Sequence, residues 1–137
     1  MLGICMPVSR QPKVLVVEDD DAMRQALIAG LGDDADVSGA VDVVDAVRFI
    51  AAFQPDVVVL DLLLDPRLGS WSNGVDIPRL LRERHIPIPR LIVLSGRPGG
   101  ADIARSIGAA AYYRKPVDMH TLAARVRELA GLRRSFA

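Results

Sequence analysis

Cysteine occurs once in this chain of 137 residues, as Cys5. No intramolecular disulfide can staple the fold, and that usage suits a reducing, cytoplasmic setting. No apolar run approaches the ~18 residues that a membrane span requires. Met1 to Gln11 also lacks the charged start and apolar centre of a secretory leader, so no membrane association is expected. Excess charge is missing too: 17 Lys plus Arg balance 17 Asp plus Glu. Without surplus positive charge for phosphates, direct nucleic-acid binding by this chain is not expected. There are only two histidines, His85 and His120, one in an apparent loop and one at a helix start. Neither has a second ligand nearby, so both read as surface residues, and no phosphodonor histidine motif is evident. Apolar residues, in contrast, make up 50% of the chain, enough for one ordinary domain with a sufficient core.

Four apolar runs end in polar residues. Val14-Leu15-Val16-Val17 closes on Glu18 and Asp19, Val57-Val58-Val59-Leu60 on Asp61, and Leu91-Ile92-Val93-Leu94 on Ser95, while Lys115 follows Ala111-Tyr112-Tyr113-Arg114. Short, continuous runs rich in β-branched residues are how strands buried on both faces of a parallel sheet read. Loops after the carboxyl ends of such strands form the ligand crevice of open α/β folds, so these polar residues are expected at one edge.

Helical periodicity fills the gaps. Asp20 or Asp21 can cap a helix over about Ala22 to Leu31, with Gly32 as its stop, and a short strand follows near Asp36 to Ala40. Asp42 is a second N-cap, for a helix bearing Val43, Val44, Val47, Ile50 and Ala51 before Pro55 forbids continuation. After the strand Asp56 to Asp61, a long Pro/Gly/Ser loop leads to a helix near Val75 to Arg84. The Ile86-Pro87-Ile88-Pro89 turn then precedes the fourth strand. Gly99-Gly100 opens a helix through Ile107, Ala109 to Tyr113 makes a fifth strand, and Asp118 starts a last helix to about Leu132. Five strands alternating with five helices predict a doubly wound α/β domain, and the flavodoxin-like order 2-1-3-4-5 places strands one and three together. Domain boundaries follow: a flexible segment 1–12, the folded domain 13–132 and a tail 133–137.

Adjacent first and third strands place Glu18 and Asp19 beside Asp61, and three like charges within a few ångström repel by several kcal/mol. A bound cation relieves that repulsion. All-oxygen ligands suit a hard ion such as Mg²⁺, whereas the absence of His or Cys among them disfavours zinc and copper. A carboxylate in such a site can also serve as nucleophile toward a phosphoryl group. Lys115 then offers a point charge and Ser95 a hydroxyl hydrogen bond to the transferred oxygens.

The motifs Val16-Val17-Glu18-Asp19-Asp20 with Arg24, Pro55-Asp56-Val57-Val58-Val59-Leu60-Asp61-Leu62, Val93-Leu94-Ser95-Gly96 and Tyr112-Tyr113-Arg114-Lys115-Pro116 resemble the receiver domain of two-component response regulators. They occur in that family's order and cover about residues 13 to 132. The resemblance implies that Glu18 and Asp19 bind Mg²⁺, Asp61 is the phosphoacceptor, and Leu63 gives a backbone carbonyl to the metal. It further implies that Ser95 is the switch hydroxyl, Lys115 pairs with the phosphoryl group, and Tyr112 is the aromatic whose rotamer accompanies Ser95 movement. A cis Lys115-Pro116 bond is implied as well. The implied donor is a histidine kinase or histidine phosphotransfer protein. Homodimerisation or partner docking is implied on the face of the fourth helix, fifth strand and last helix, with Ile103, Tyr113 and Arg114 as candidates.

Plainer roles stand beside these. Asp20 and Asp21 cap a helix, Tyr112 equally suits half-buried packing with a wet hydroxyl, and Ile103 suits the core. Asp65-Pro66-Arg67-Leu68-Gly69-Ser70-Trp71-Ser72-Asn73 departs from the family's spacing by an insertion of roughly five residues, which a loop absorbs at small entropic cost. Within it Asp65 offers a further carboxylate, and Trp71 a cover for the site, a partner contact or packing on its own neighbours. Leu63 and Arg97 offer no group to orient an attacking water, so slow self-dephosphorylation is expected. No helix-turn-helix or catalytic segment follows Leu132, which suits either a single-domain regulator or the receiver of a longer protein. A Mg²⁺-dependent phosphohydrolase uses similar carboxylates, but Asp19-Asp20-Asp21 lacks the threonine expected of haloacid-dehalogenase-like motifs. A binding module that ignores the site is the third reading.

Overall fold

Strands made of valine, leucine and isoleucine must hide both faces, and the computed structural model shows how they do so. It describes residues 11–62, 64–65, 70–71 and 73–134. The main sheet contains β1 (Lys13–Val17), β2 (Asp36–Ala40), β3 (Val57–Asp61), β6 (Arg90–Ser95) and β7 (Ala111–Arg114), all parallel, in the order β2-β1-β3-β6-β7. This is the expected 2-1-3-4-5 order. Two further strands, β4 (Leu64–Asp65) and β5 (Ser70–Trp71), form a separate antiparallel pair.

Alternate residues of each strand supply two cores. Leu15, Val17, Val58, Leu60, Leu91 and Val93 face α2 (Val43–Phe53), α3 (Ile77–Glu83) and α4 (Gly100–Ser106). Val14, Val16, Val57, Val59, Ile92 and Leu94 face α1 (Asp21–Leu31) and α5 (Met119–Arg134). Central β3 is buried throughout, which is why its sequence runs apolar instead of alternating. Each fully buried Val or Leu contributes about 1.5–3 kcal/mol of transfer free energy, offset by the entropy of ordering the chain.

Helix boundaries follow local chemistry. Asp20 accepts a 2.8 Å hydrogen bond from the Met23 amide and is the N-cap of α1. Asp42 does the same for the Asp45 amide at 2.8 Å. Gln54 ends α2 in the left-handed region, φ 49°, because Pro55 permits no further turn. Asp118 accepts from both the amide and the hydroxyl of Thr121 ahead of α5, which continues to Arg134, beyond the expected end at Leu132.

Several boundaries differ from the sequence reading. The helix expected over Val75 to Arg84 is shorter, because residues Asn73–Asp76 form a tight 3₁₀ turn before α3. The long loop expected after Asp61 carries the antiparallel pair of β4 and β5. The fifth strand of the main sheet begins at Ala111 rather than Ala109, because Gly108 turns at φ 77° and the Ala109 amide still bonds the Ala104 carbonyl at 2.9 Å.

Candidate functional site

Strand register places the polar residues. Val17 pairs with Leu60, Asp61 with Leu94 and Ser95 with Arg114, so the residues at these strand ends reach one carboxyl edge. Backbone bonds from Glu18 N to Ala40 O (3.0 Å), Leu62 N to Leu94 O (2.9 Å) and Lys115 N to Ser95 O (2.9 Å) extend the sheet one residue at each end. The candidate side chains therefore project from hydrogen-bonded backbone.

Glu18 and Asp61 are 3% and 5% exposed, and Ser95 is fully buried. Lys115 Nζ lies 2.5 Å from Asp61 Oδ1. The two form an ion pair, but among the described residues both Asp61 oxygens, like Glu18 Oε2, have no hydrogen-bond partner. Burial, followed by contact with Asp61 and then with Asp19, raises the Glu18 carboxyl from 4.5 to about 8, against the opposing pull of Lys115. Asp19 is exposed at the rim.

Two residues hold this corner in shape. Arg24 donates 2.9 Å from Nη1 to the Glu18 carbonyl while its Nη2 contacts Asp21. Its stem lies against Gly39, where an added Cβ would come 2.8 Å from Arg24 Cδ. Ser95 Oγ accepts from the Arg97 amide at 3.2 Å. The sequence motif contains Arg24 but does not reveal this contact, because it runs to a carbonyl and no side-chain pattern encodes it.

Tyr112 is half-buried against the α2–α4 core, Ile103 packs against the same core, and Arg114 is exposed. Tyr113 accepts a 3.2 Å hydrogen bond from Arg125 Nε. The Lys115-Pro116 bond is cis. Asp20 caps α1 and Asp21 contacts Arg24, so both are occupied structurally. Of the expected metal residues, Leu63 lies outside the described residues, as do Pro66 to Gly69 and Ser72 of the insertion. His85 and His120 are exposed.

The corner fits a hard cation. Two buried carboxylates, Glu18 and Asp61, share the corner with the Lys115 ammonium, Asp19 lies at the rim, and among the described residues three oxygens of the buried pair lack hydrogen-bond partners, which leaves unsatisfied acceptors of the kind Mg²⁺ prefers. Among the described residues no three or more His, Cys, Asp or Glu side chains are gathered as a group that could hold a metal ion. Mg²⁺ needs only one or two protein carboxylates, with waters and phosphate oxygens completing its shell, so Glu18 and Asp61 would suffice as its protein ligands.

Sheet order and an acidic carboxyl edge at the switch point define a doubly wound, flavodoxin-like α/β domain. The chain belongs to the response regulator receiver domain family, whose model matches residues 14–127. It is therefore the receiver domain of a two-component response regulator, a signalling switch. It is 37% identical over 127 residues to the response regulator MprA of Mycobacterium sp. strain KMS, across 90% of this chain and 51% of that protein. MprA of Mycobacterium avium strain 104 is 36% identical over 120 residues, across 85% of this chain and 50% of that protein. The chain spans about half the length of the curated relatives it matches. Among solved structures, the receiver domain of Francisella response regulator 1452 superposes with TM-score 0.71 at 28% identity, across 88% of this chain and 97% of that one. A receiver domain protein from Clostridium thermocellum gives 0.74 at 26% identity, across 92% and 99%. Among the described residues no helix is long and apolar enough to cross a membrane.

Proposed function

We propose that Asp61 accepts a phosphoryl group from the phosphohistidine of a histidine kinase or histidine phosphotransfer protein, and that the resulting charge drives a conformational switch. The observation that carries this reading is the buried Asp61 carboxylate, 2.5 Å from Lys115 Nζ and beside Glu18. An Asp61 oxygen attacks phosphorus, the phosphorus–nitrogen bond breaks, and the donor imidazole departs with the bonding electrons. Lys115 holds Asp61 before transfer and can follow the incoming oxygens. Glu18, Asp19, Asp61 and the Leu63 carbonyl would hold Mg²⁺, which when bound supplies positive charge opposite the phosphoryl oxygens.

In this reading Ser95 shifts its hydroxyl from the Arg97 amide toward the phosphoryl group, and Tyr112 follows. The reader is then a partner or a second copy at the face of α4, β7 and α5, and any output domain in a longer protein would couple there. A cytoplasmic location accords with a soluble kinase domain as donor. Calorimetric titration with Mg²⁺, then with beryllofluoride as a phosphoryl stand-in, tests the site. Binding should weaken strongly in Asp61→Asn and Glu18→Gln, and equal affinity in all three proteins would refute it.

A further inference from the structure

Gly100, the first residue of α4, occupies a position where a side chain would have no room. A Cβ built there meets Ser95 Cβ at 2.8 Å, Tyr112 Oη at 2.8 Å and Ser95 Oγ at 2.9 Å. Both side chains therefore close on one point at the start of the helix. Gly96, four residues earlier, is different: a Cβ there has only ordinary contacts with Lys115, at 3.8 and 3.9 Å. Gly100 is buried, and its backbone is not among the glycines at positive φ, which among the described residues are Gly99 and Gly108. Conformational freedom is therefore not what requires glycine at this position. Helix propensity alone favours alanine there.

We propose that Gly100 is a positioning residue of the switch: its bare Cα is the seat shared by Ser95 and the inward-pointing Tyr112 hydroxyl, which couples both to the start of α4. Ser95 Cβ cannot rotate away, because β6 pairs with β7 there and Lys115 N bonds Ser95 O at 2.9 Å. Any side chain at position 100 must therefore displace α4, Tyr112 or both. Conversely, movement of Ser95 or Tyr112 leaves or fills this seat and is felt by the α4 backbone. The link to signalling rests on the phosphoacceptor reading of Asp61. The ligand-free contact does not.

The chain has two tyrosines, so 3-fluorotyrosine labelling gives two ¹⁹F resonances, and Tyr112→Phe assigns them. In Gly100→Ala the Tyr112 resonance should shift while that of Tyr113 stays, and the urea midpoint should fall. Gly96→Ala should leave both unchanged, and Gly100→Ala with Tyr112→Phe should recover part of the lost midpoint by removing the hydroxyl. An unmoved Tyr112 resonance in Gly100→Ala, or a midpoint that rises as propensity alone dictates, overturns the proposal. Should Gly100→Ala not fold, Tyr112→Phe alone decides: the Gly100 amide should shift well beyond the Gly131 amide, and equal shifts overturn it. Beryllofluoride with Mg²⁺ should move the Tyr112 resonance in the parent protein, and that movement should be lost in Gly100→Ala. A parent protein that does not respond defeats the phosphoacceptor reading, while the ligand-free comparison still decides the role of Gly100.

Discussion

Glu18 should make the metal-free domain lose stability as pH rises through neutrality, contrary to the usual carboxylate behaviour. Its carboxyl is raised from 4.5 to about 8, chiefly by burial and then by Asp61. A carboxyl that holds its proton more tightly when folded contributes its full share below about 4.5. That share is lost as pH climbs through about 8. Linkage sets an upper bound of ~5 kcal/mol, at 1.36 kcal/mol per pH unit. The site opens to solvent at Asp19, and screening there reduces the effect to ~2 kcal/mol. Glu18→Gln keeps the shape and removes the charge. Urea denaturation with a chelator present should find the two proteins similar at about pH 5, and the variant more stable by ~2 kcal/mol at about pH 9. Added Mg²⁺ should shrink the difference at high pH, since it favours the ionised form of the parent protein. Equal stabilities at both pH values, or a parent protein that gains on the variant as pH rises, would refute the assignment.

Other substitutions separate packing from chemistry. Lys115→Met leaves Asp61 buried without its 2.5 Å partner, so at neutral pH the domain should lose about 3 kcal/mol and phosphorylate more slowly. Unchanged stability by urea titration would show the ion pair to be unimportant. Leu60→Ala, at a fully buried position in β3, should cost about 2–5 kcal/mol by the same assay, and a loss below about 1 kcal/mol would mean that the core collapses around the gap. Arg97 is exposed and offers no carboxylate or carboxamide to orient water, so the Asp61 acyl phosphate should be long-lived. Timed intact-mass spectra with Mg²⁺ check this, and decay within seconds would contradict it.

How much of this was legible in the sequence depends on the range over which each signal acts. Asp36 to Ala40 matches β2 at both ends, and Asp42 caps α2 as its spacing indicated. In both cases the deciding contacts are local or the periodicity is strong. The meeting of Glu18, Asp61 and Lys115 was also readable, because a parallel sheet of this order leaves their strand ends nowhere else to go. The strands Leu64–Asp65 and Ser70–Trp71 were not, since two residues cannot display a period. The trio of carboxylates was only partly readable: strand ends bring Glu18 and Asp61 inward, but Asp19, one residue further on, remains exposed at the rim. Gly100 looked like a helix opener. Its close approach to Ser95 and Tyr112 depends on how α4 seats on the sheet, which no local pattern reports.

Intact mass before and after treatment with acetyl phosphate and Mg²⁺, beside Asp61→Asn and a chelator control, tests the phosphoacceptor assignment most directly. One added phosphoryl group that disappears in both controls is the predicted result. A gain that persists in Asp61→Asn would contradict it, as would no gain in a parent protein that also fails to bind beryllofluoride.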